Sequence, residues 1–450
     1  MPAIRLVRGS DPAWVRTIPV LLVLLILFVS PVWAGSHTVP VPRPNGSDDT
    51  ANLQAALDRC VTHGPGCTVQ LAAGRYLTGQ LVAYNFRGTF RGRGRDKTII
   101  EALPNLRVDS WIAESDTYWP PDTNEHPWPS LMIFVDGDIR VSDLAIQITH
   151  VPATQPYDFA PGWQVAALID AIRFMGQRPT NATVERIAIE GREDPSDLSF
   201  WGFNLANGVT FAGELPTGSG ISFDYYPIAG RLSVSASSFK SSGSGVYPAI
   251  VKDGRVTIGG APSAGNVFEN VAVGMDLESL ESSVIEVSHN RVSGARYAGA
   301  WAIAWCCGFL PTRPSQFSIH DNTFRPAGES ADGIVLVDDP AQPWIRALVS
   351  SNTVEAQDIG NGGISAYNTK GTTIWNNRVS GRGADAIGVW NGTYGVVLAN
   401  DVEDFRADSA QIVLDGTTTR SAVVCENPND TVLNQGKDNR VIGCQLVDNP

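Results

Sequence analysis

The sequence is short of charge, of basic clusters and of helical repeats. Only 18% of its 450 residues are charged and 43% are hydrophobic, too apolar a balance for a disordered chain. Acids outnumber bases for a net charge of −13, and no basic cluster offsets this. Such a chain repels phosphate backbones and anionic lipid, so nucleic acid is not expected as a partner. There is no C-x-x-C and no H-E-x-x-H, which leaves zinc without a motif. Helical periodicity is almost absent after residue 65. There is one long apolar run, Ile18 to Val29, with Arg5, Arg8 and Arg16 before it and Val32-Trp33-Ala34 after it. It is short for a membrane span and has the flanks of a secretory signal. The pattern predicts a signal peptide over 1–34, a secreted or periplasmic protein, and no membrane span after cleavage.

Six cysteines fit an exported protein. Cys60 with Cys67 and Cys425 with Cys444 read as two local disulfide staples, one near each end. The adjacent Cys306-Cys307 pair reads as buried or reduced thiols, with a vicinal disulfide or two half-partners as alternatives.

What the sequence does have is a repeat. The pattern [VI]-x-x-N-x-[VF] places Asn290, Asn322, Asn352, Asn377 and Asn400 at intervals of 32, 30, 25 and 23 residues. A weaker copy puts Ser237 in the slot, and two more fill it with Leu144 and Ile187. Each copy is followed by a second short β-branched segment, such as Asp332 to Val337 or Asp385 to Trp390, bounded by Gly, Asn and Asp. A coil of this length cannot bury its own apolar face, whereas stacked coils can. Asparagine suits the corners because it tolerates left-handed backbone, and stacked amides can bond along the axis. Asn-Gly hairpin signals are scarce, which argues against a sandwich or propeller. Near the front, Leu53, Ala56, Leu57 and Cys60 give one apolar face to a helix capped by Asp49 or Thr50, suited to covering the open end of a solenoid.

The start Asn45-Gly-Ser-Asp-Asp-Thr with Gln54-Ala-Ala-Leu57, then Leu71-Ala-Ala-Gly74-Arg-Tyr76, resembles the pectate-lyase-like superfamily. The V-x-x-N-x-V copies resemble its coil repeat, and together the likeness covers roughly Pro44 to Val424. It implies an all-β fold: a single-stranded right-handed parallel β-helix with an N-terminal capping helix. The expected organisation is a cap over 35–67, the β-helix over 68–424 and a C-terminal cap over 425–450. A lateral loop rich in Trp and Pro is expected over 104–163.

Aligning the second strand of each coil puts Asp224, Tyr247, Asp276, Glu278, Val335, Ser365, Tyr367, Gly388 and Trp390 in one outward column. Acids beside aromatics suit a polysaccharide: rings stack on pyranose faces and carboxylates bond hydroxyls. Asp224, Asp276 and Glu278 are the candidate catalytic acids, with Asp224 and Asp276 expected two coils apart. Tyr225, Tyr247, Trp301 and Trp305 are candidate substrate contacts, the two tryptophans being outward if the intervening alanines face in. Lys252 and Arg296 are candidate cations for a lyase, and calcium held by Asp276 and Glu278 is a further possibility for that charge. The D-P-H-D, N-T-D, G-H-G, R-I-K and W-x-D-H patterns of the superfamily's enzymes are all missing. The sequence therefore predicts a polysaccharide lyase or glycoside hydrolase without naming its reaction. The alternative is a non-catalytic glycan-binding or adhesive solenoid. His289 and His320 read as turn residues.

Overall fold

The computed structural model describes residues 37–104, 130–149, 157–160, 163–165, 169–176, 178–194, 197, 202–213, 227–305, 309–357 and 362–447. Apart from one antiparallel pair, Tyr157–Ala160 with Trp163–Val165, the described strands pair in parallel from coil to coil. They fall into three stacks.

The first stack carries the segment before each ladder residue. Its inward file runs Val184, Val234, Ile258, Val287, Ile319, Val349, Ile374 and Val397, each directly over the last. The second stack carries the segment after the ladder residue, with Ile189, Phe239, Phe268, Val292, Phe324 and Val354 in file. Phe239 and Phe268 stack with centroids 4.9 Å apart. The third, lateral stack points Ile172, Val209, Val246, Met275, Ala300, Ile334, Ile364 and Ile387 inward. The three files meet in one apolar core along the axis. Each fully buried aliphatic side chain contributes about 1.5–3 kcal/mol, and alternation along each strand leaves the other residues facing out.

A glycine opens several lateral strands, where the second stack presses against it. A methyl on Gly299 would lie 2.1 Å from Phe324 Cδ1, and one on Gly245 2.3 Å from Phe268 Cδ1. The backbone there is part of the core wall.

The asparagines form a continuous buried ladder. Asn266 Nδ2 donates to Asn290 Oδ1 at 2.9 Å, Asn290 to Asn322 at 3.0 Å, and Asn322 to Asn352 at 3.0 Å. Asn352 donates to Asn377 at 2.9 Å and Asn377 to Asn400 at 2.9 Å. Each amide also donates to a carbonyl of the preceding coil, as Asn322 does to Val287 at 2.9 Å. The left-handed residue is the one before the rung: His289, Asp321, Ser351, Asn376 and Ala399 all have φ between 52° and 59°. Asparagine is therefore needed at the rung for its amide, not for its backbone tolerance. The short 3₁₀ turn Pro262–Ala264 breaks the V-x-x-N spacing before Asn266 and hides that rung from the sequence.

The helix Thr50–His63 buries Leu53, Ala56, Leu57 and Cys60 against the first strands. Gln54 Nε2 ties it to the Val82 carbonyl at 2.7 Å. Disulfides join Cys60 to Cys67 and Cys425 to Cys444. Cys306 and Cys307 lie outside the described residues. No described helix is long and apolar enough to cross a membrane.

Two expected boundaries move. Within 104–163, Ser130–Ser142 and Ala145–Gln147 belong to the β-helix and pair with the coils on either side. The apolar run Leu131 to Val135 is a lateral strand masked in sequence by the Trp- and Pro-rich stretch before it. At the other end, Thr431–Asn434, Arg440–Ile442 and Gln445–Val447 continue the parallel pairing past 424. Residues 431–447 add a further coil at this end, stapled by Cys425–Cys444.

Candidate active site on the lateral sheet

The outward face of the lateral stack differs from the other two faces. Those carry solvated ion pairs such as Arg325–Glu355 at 2.7 Å and Arg186–Asp143 at 2.7 Å. The lateral face carries acids that are buried. Asp170, Asp276, Asp332 and Asp385 are all less than 7% exposed.

Register places one row across the coils: Arg173, Thr210, Tyr247, Asp276, Trp301, Val335, Ser365 and Gly388. The next outward row, two residues on, includes Glu278, Ile303, Val337, Tyr367 and Trp390. Asp276 and Glu278 are thus neighbours on one strand, with Tyr247 on the coil before and Trp301 on the coil after.

These groups are bonded to each other. Tyr247 donates its hydroxyl to Glu278 Oε2 at 2.9 Å. Ser244 donates to Asp276 Oδ2 at 3.1 Å. Asp276 and Glu278 face the same side of one strand, two residues apart, and each carboxyl acts on the other's titration. Burial, reinforced by the charge of Glu278, pushes the Asp276 carboxyl well above the usual range. Glu278 is also pushed up by burial, against the Tyr247 hydroxyl it accepts from. Asp276 Oδ1 is buried and meets no hydrogen-bond partner among the described residues. Burial, then the charges of Glu278 and Asp276, also raise the Tyr247 phenol well above its ordinary value.

One coil before Tyr247, Thr210 Oγ1 donates to Asp170 Oδ2 at 2.8 Å, as Asn207 Nδ2 does to Asp170 Oδ1 at 2.8 Å. Arg173 pairs with the same buried carboxyl at 2.9 Å, and its charge reaches Tyr247. Sequence reasoning missed Asp170 and Arg173 because no ladder asparagine marks their coil. The signal available was the alternation in Ile169–Met175.

The other expected residues divide. Asp224 and Tyr225 lie outside the described residues, and the register slot beside Tyr247 that the alignment gave to Asp224 is filled by Thr210. The strand Leu205–Ala212 is the lateral strand of that coil. Ala300 and Ala302 face the core, which turns Trp301 outward beside Asp276; its indole Nε1 is buried with no hydrogen-bond partner among the described residues. Trp305 is 40% exposed beyond the end of that strand. Lys252 sits at the following corner, 3.4 Å from Glu281, not in the row. Arg296 lies at the corner before the strand, over the Phe203 ring at 4.3 Å and paired with Glu193. Neither cation joins the acids. His289 and His320 are closer than their offsets suggest, with ring centroids 6.1 Å apart, but His320 bonds Asp321 at the turn.

Among the described residues, no group of three or more His, Cys, Asp or Glu stands together as a metal-binding set.

A family model described as right handed beta helix region matches residues 307–450. Among solved structures, the Dettilon tailspike protein gp208 aligns with a TM-score of 0.52 at 10% identity, over 90% of this chain and 68% of that one. The chain is a right-handed parallel β-helix. The family model and the tailspike alignment agree with the fold expected from the coil repeat. More distant in shape is the A-module of the Azotobacter vinelandii mannuronan C-5 epimerase AlgE6, with a TM-score of 0.44, 13% identity, 92% of this chain and 100% of that one. The family 28 exopolygalacturonase of Yersinia enterocolitica gives 0.42 and 10%, over 92% and 76%. No curated protein matches the sequence.

Proposed function

We propose that this β-helix is an exported carbohydrate-active enzyme that performs proton transfer on a polysaccharide lying along its lateral sheet. The buried cluster of Tyr247, Asp276 and Glu278, with the phenol bonded to Glu278, carries the reading. Carboxyls pushed above their ordinary range by burial are candidates for general acid–base work. Two disulfides fit an oxidising, extracytoplasmic compartment.

The bond between Tyr247 and Glu278 favours a lyase over a two-carboxylate hydrolase, since a phenol paired with a carboxylate suits proton transfer. A hydrolase needs a second carboxyl about 5–9.5 Å from the first, across the glycosidic bond. Asp170 lies three coils away, ~14 Å along the axis, which is too far. A lyase needs proton transfer and a place for the developing enolate charge. Glu278, the more exposed of the pair, is the base, and Tyr247 and protonated Asp276 are hydrogen-bond donors. A neutral acid donates to an anion without repelling it. That also reconciles an acidic chain with a uronate-containing substrate. Trp301, with its free indole N–H beside Asp276, is a substrate contact.

The test is a polysaccharide panel that follows unsaturated ends and reducing ends together. Unsaturated product that disappears in Glu278→Gln and Tyr247→Phe supports the reading. Reducing ends alone indicate a hydrolase. Glycan binding without either product indicates the non-catalytic solenoid.

A further inference from the structure

A second set of polar groups lies on the same face, two to four coils beyond Asp276 and ~10–19 Å along the axis. It is built from Asp332, Ser365, Asp385, Tyr367 and Trp390, with Gly388 at its floor. Ser365 donates to Asp332 Oδ1 at 2.9 Å. Around the outward side of Gly362, the nearest atoms are Asp385 Oδ1, Ser365 Oγ and Asp332 Oδ1, at 2.7, 2.9 and 3.4 Å from where a methyl would stand.

Two of these groups are incomplete. Asp385 is 3% exposed, and its Oδ1 has no hydrogen-bond donor among the described residues. The indole Nε1 of Trp390 is likewise buried and without an acceptor. An unmet acceptor and an unmet donor in a native interior each cost free energy and call for an explanation. Here they face each other. A methyl on Gly388 would lie 2.5 Å from Trp390 Nε1 and 2.9 Å from Asp385 Oδ1. The two atoms make no direct bond, yet they stand within the span that one oxygen bridges with two hydrogen bonds of ~2.8 Å. A hydroxyl meets both needs at once, accepting from the indole and donating to the carboxyl. Burial alone lifts the Asp385 carboxyl to about 7, as expected where a polar partner is missing. Beside the gap, the half-buried rings of Tyr367 and Trp390 lie nearly parallel, 14° apart with centroids 6.2 Å apart, and offer an apolar wall.

We infer that this cluster is a second sugar subsite, taking an uncharged pyranose whose hydroxyl seats between Trp390 Nε1 and Asp385 Oδ1 over Gly388. Asp332 and Ser365 receive neighbouring hydroxyls, and the ring lies against Trp390 and Tyr367. Two carboxyls facing the seat disfavour a uronate there, so the subsite differs in chemistry from the acid pair. It extends the carbohydrate reading above, but its test needs no turnover.

The experiment uses the full chain and trisaccharides, which are too short to reach both sites. Maltotriose, cellotriose and mannotriose are titrated against trigalacturonate by calorimetry and saturation-transfer NMR. A neutral trisaccharide is expected to bind, and trigalacturonate is not expected to bind at this seat. Gly388→Ala, which fills the gap, and Trp390→Phe, which keeps a ring but removes the donor, are each expected to weaken binding about tenfold. Unchanged unfolding midpoints show that the variants fold. Absence of binding by every neutral trisaccharide, with the gap holding only a bridging water, overturns the inference. So does binding that neither variant alters. Loss of cleavage in Glu278→Gln bears on the acid site alone, so the two readings fail separately.

Discussion

Tyr247 and Glu278 sit on adjacent coils, and the phenol of one donates to the carboxyl of the other at 2.9 Å. That bond orients the Glu278 carboxyl and holds it lower than burial alone would. Tyr247→Phe removes one donor and should lower polysaccharide turnover by about 10²–10⁴-fold, the usual share of a positioned acid or base. The pH dependence of kcat/KM should change with it, which a packing defect alone would not produce.

The asparagine ladder makes a separate prediction about stability. Asn322 donates to Val287 and Asn352 and accepts from Asn290, all buried. Asn322→Ala leaves those partners unmet, at a cost of about 1–3 kcal/mol for each group that no water reaches. Denaturant unfolding should show a loss of about 2–4 kcal/mol. Asn376→Ala, at the exposed left-handed position one residue before a rung, should cost less.

The glycine wall of the lateral stack predicts a third outcome. Gly299→Ala drives a methyl to 2.1 Å from Phe324. Overpacking of that kind costs about 1–3 kcal/mol. Pairing it with Phe324→Leu should recover part of the loss, read as a coupling term in a double-mutant cycle.

Asp385 gives a pH signature. Its carboxyl stands at about 7 in the folded chain, against about 3.9 when unfolded. The folded state therefore binds the proton more tightly. The stability that this proton supplies is complete below about pH 4 and is lost as pH rises to about 7. Asp385→Asn should flatten stability across that window. Relative to wild type it should be more stable at pH 8, on the order of 2–4 kcal/mol, as melts at a series of pH values would show.

The fold was legible because it is periodic. Val287, Asn290 and Val292 recur with the same spacing as Ile319, Asn322 and Phe324, and a stack of coils is the way such units bury their faces. The outward row from Tyr247 to Trp390 was readable for the same reason, since alternation fixes facing once the register is known. Reading failed where periodicity was interrupted. The insertion at Pro262–Ala264 hid Asn266, and the Trp- and Pro-rich stretch hid the coil over 130–147. Asp170 and Arg173 carried no repeat to mark them. The bond between Tyr247 and Glu278, and the unmet pair at Asp385 and Trp390, arise from burial and side-chain direction, which spacing does not encode.

The most direct test of the account is the product made from a polysaccharide panel by wild type and by Glu278→Gln, with folding of the variant verified. The account predicts unsaturated ends from the wild-type protein on a uronate-containing polymer, and their loss in the variant. Unsaturated ends formed at the wild-type rate by Glu278→Gln would contradict it.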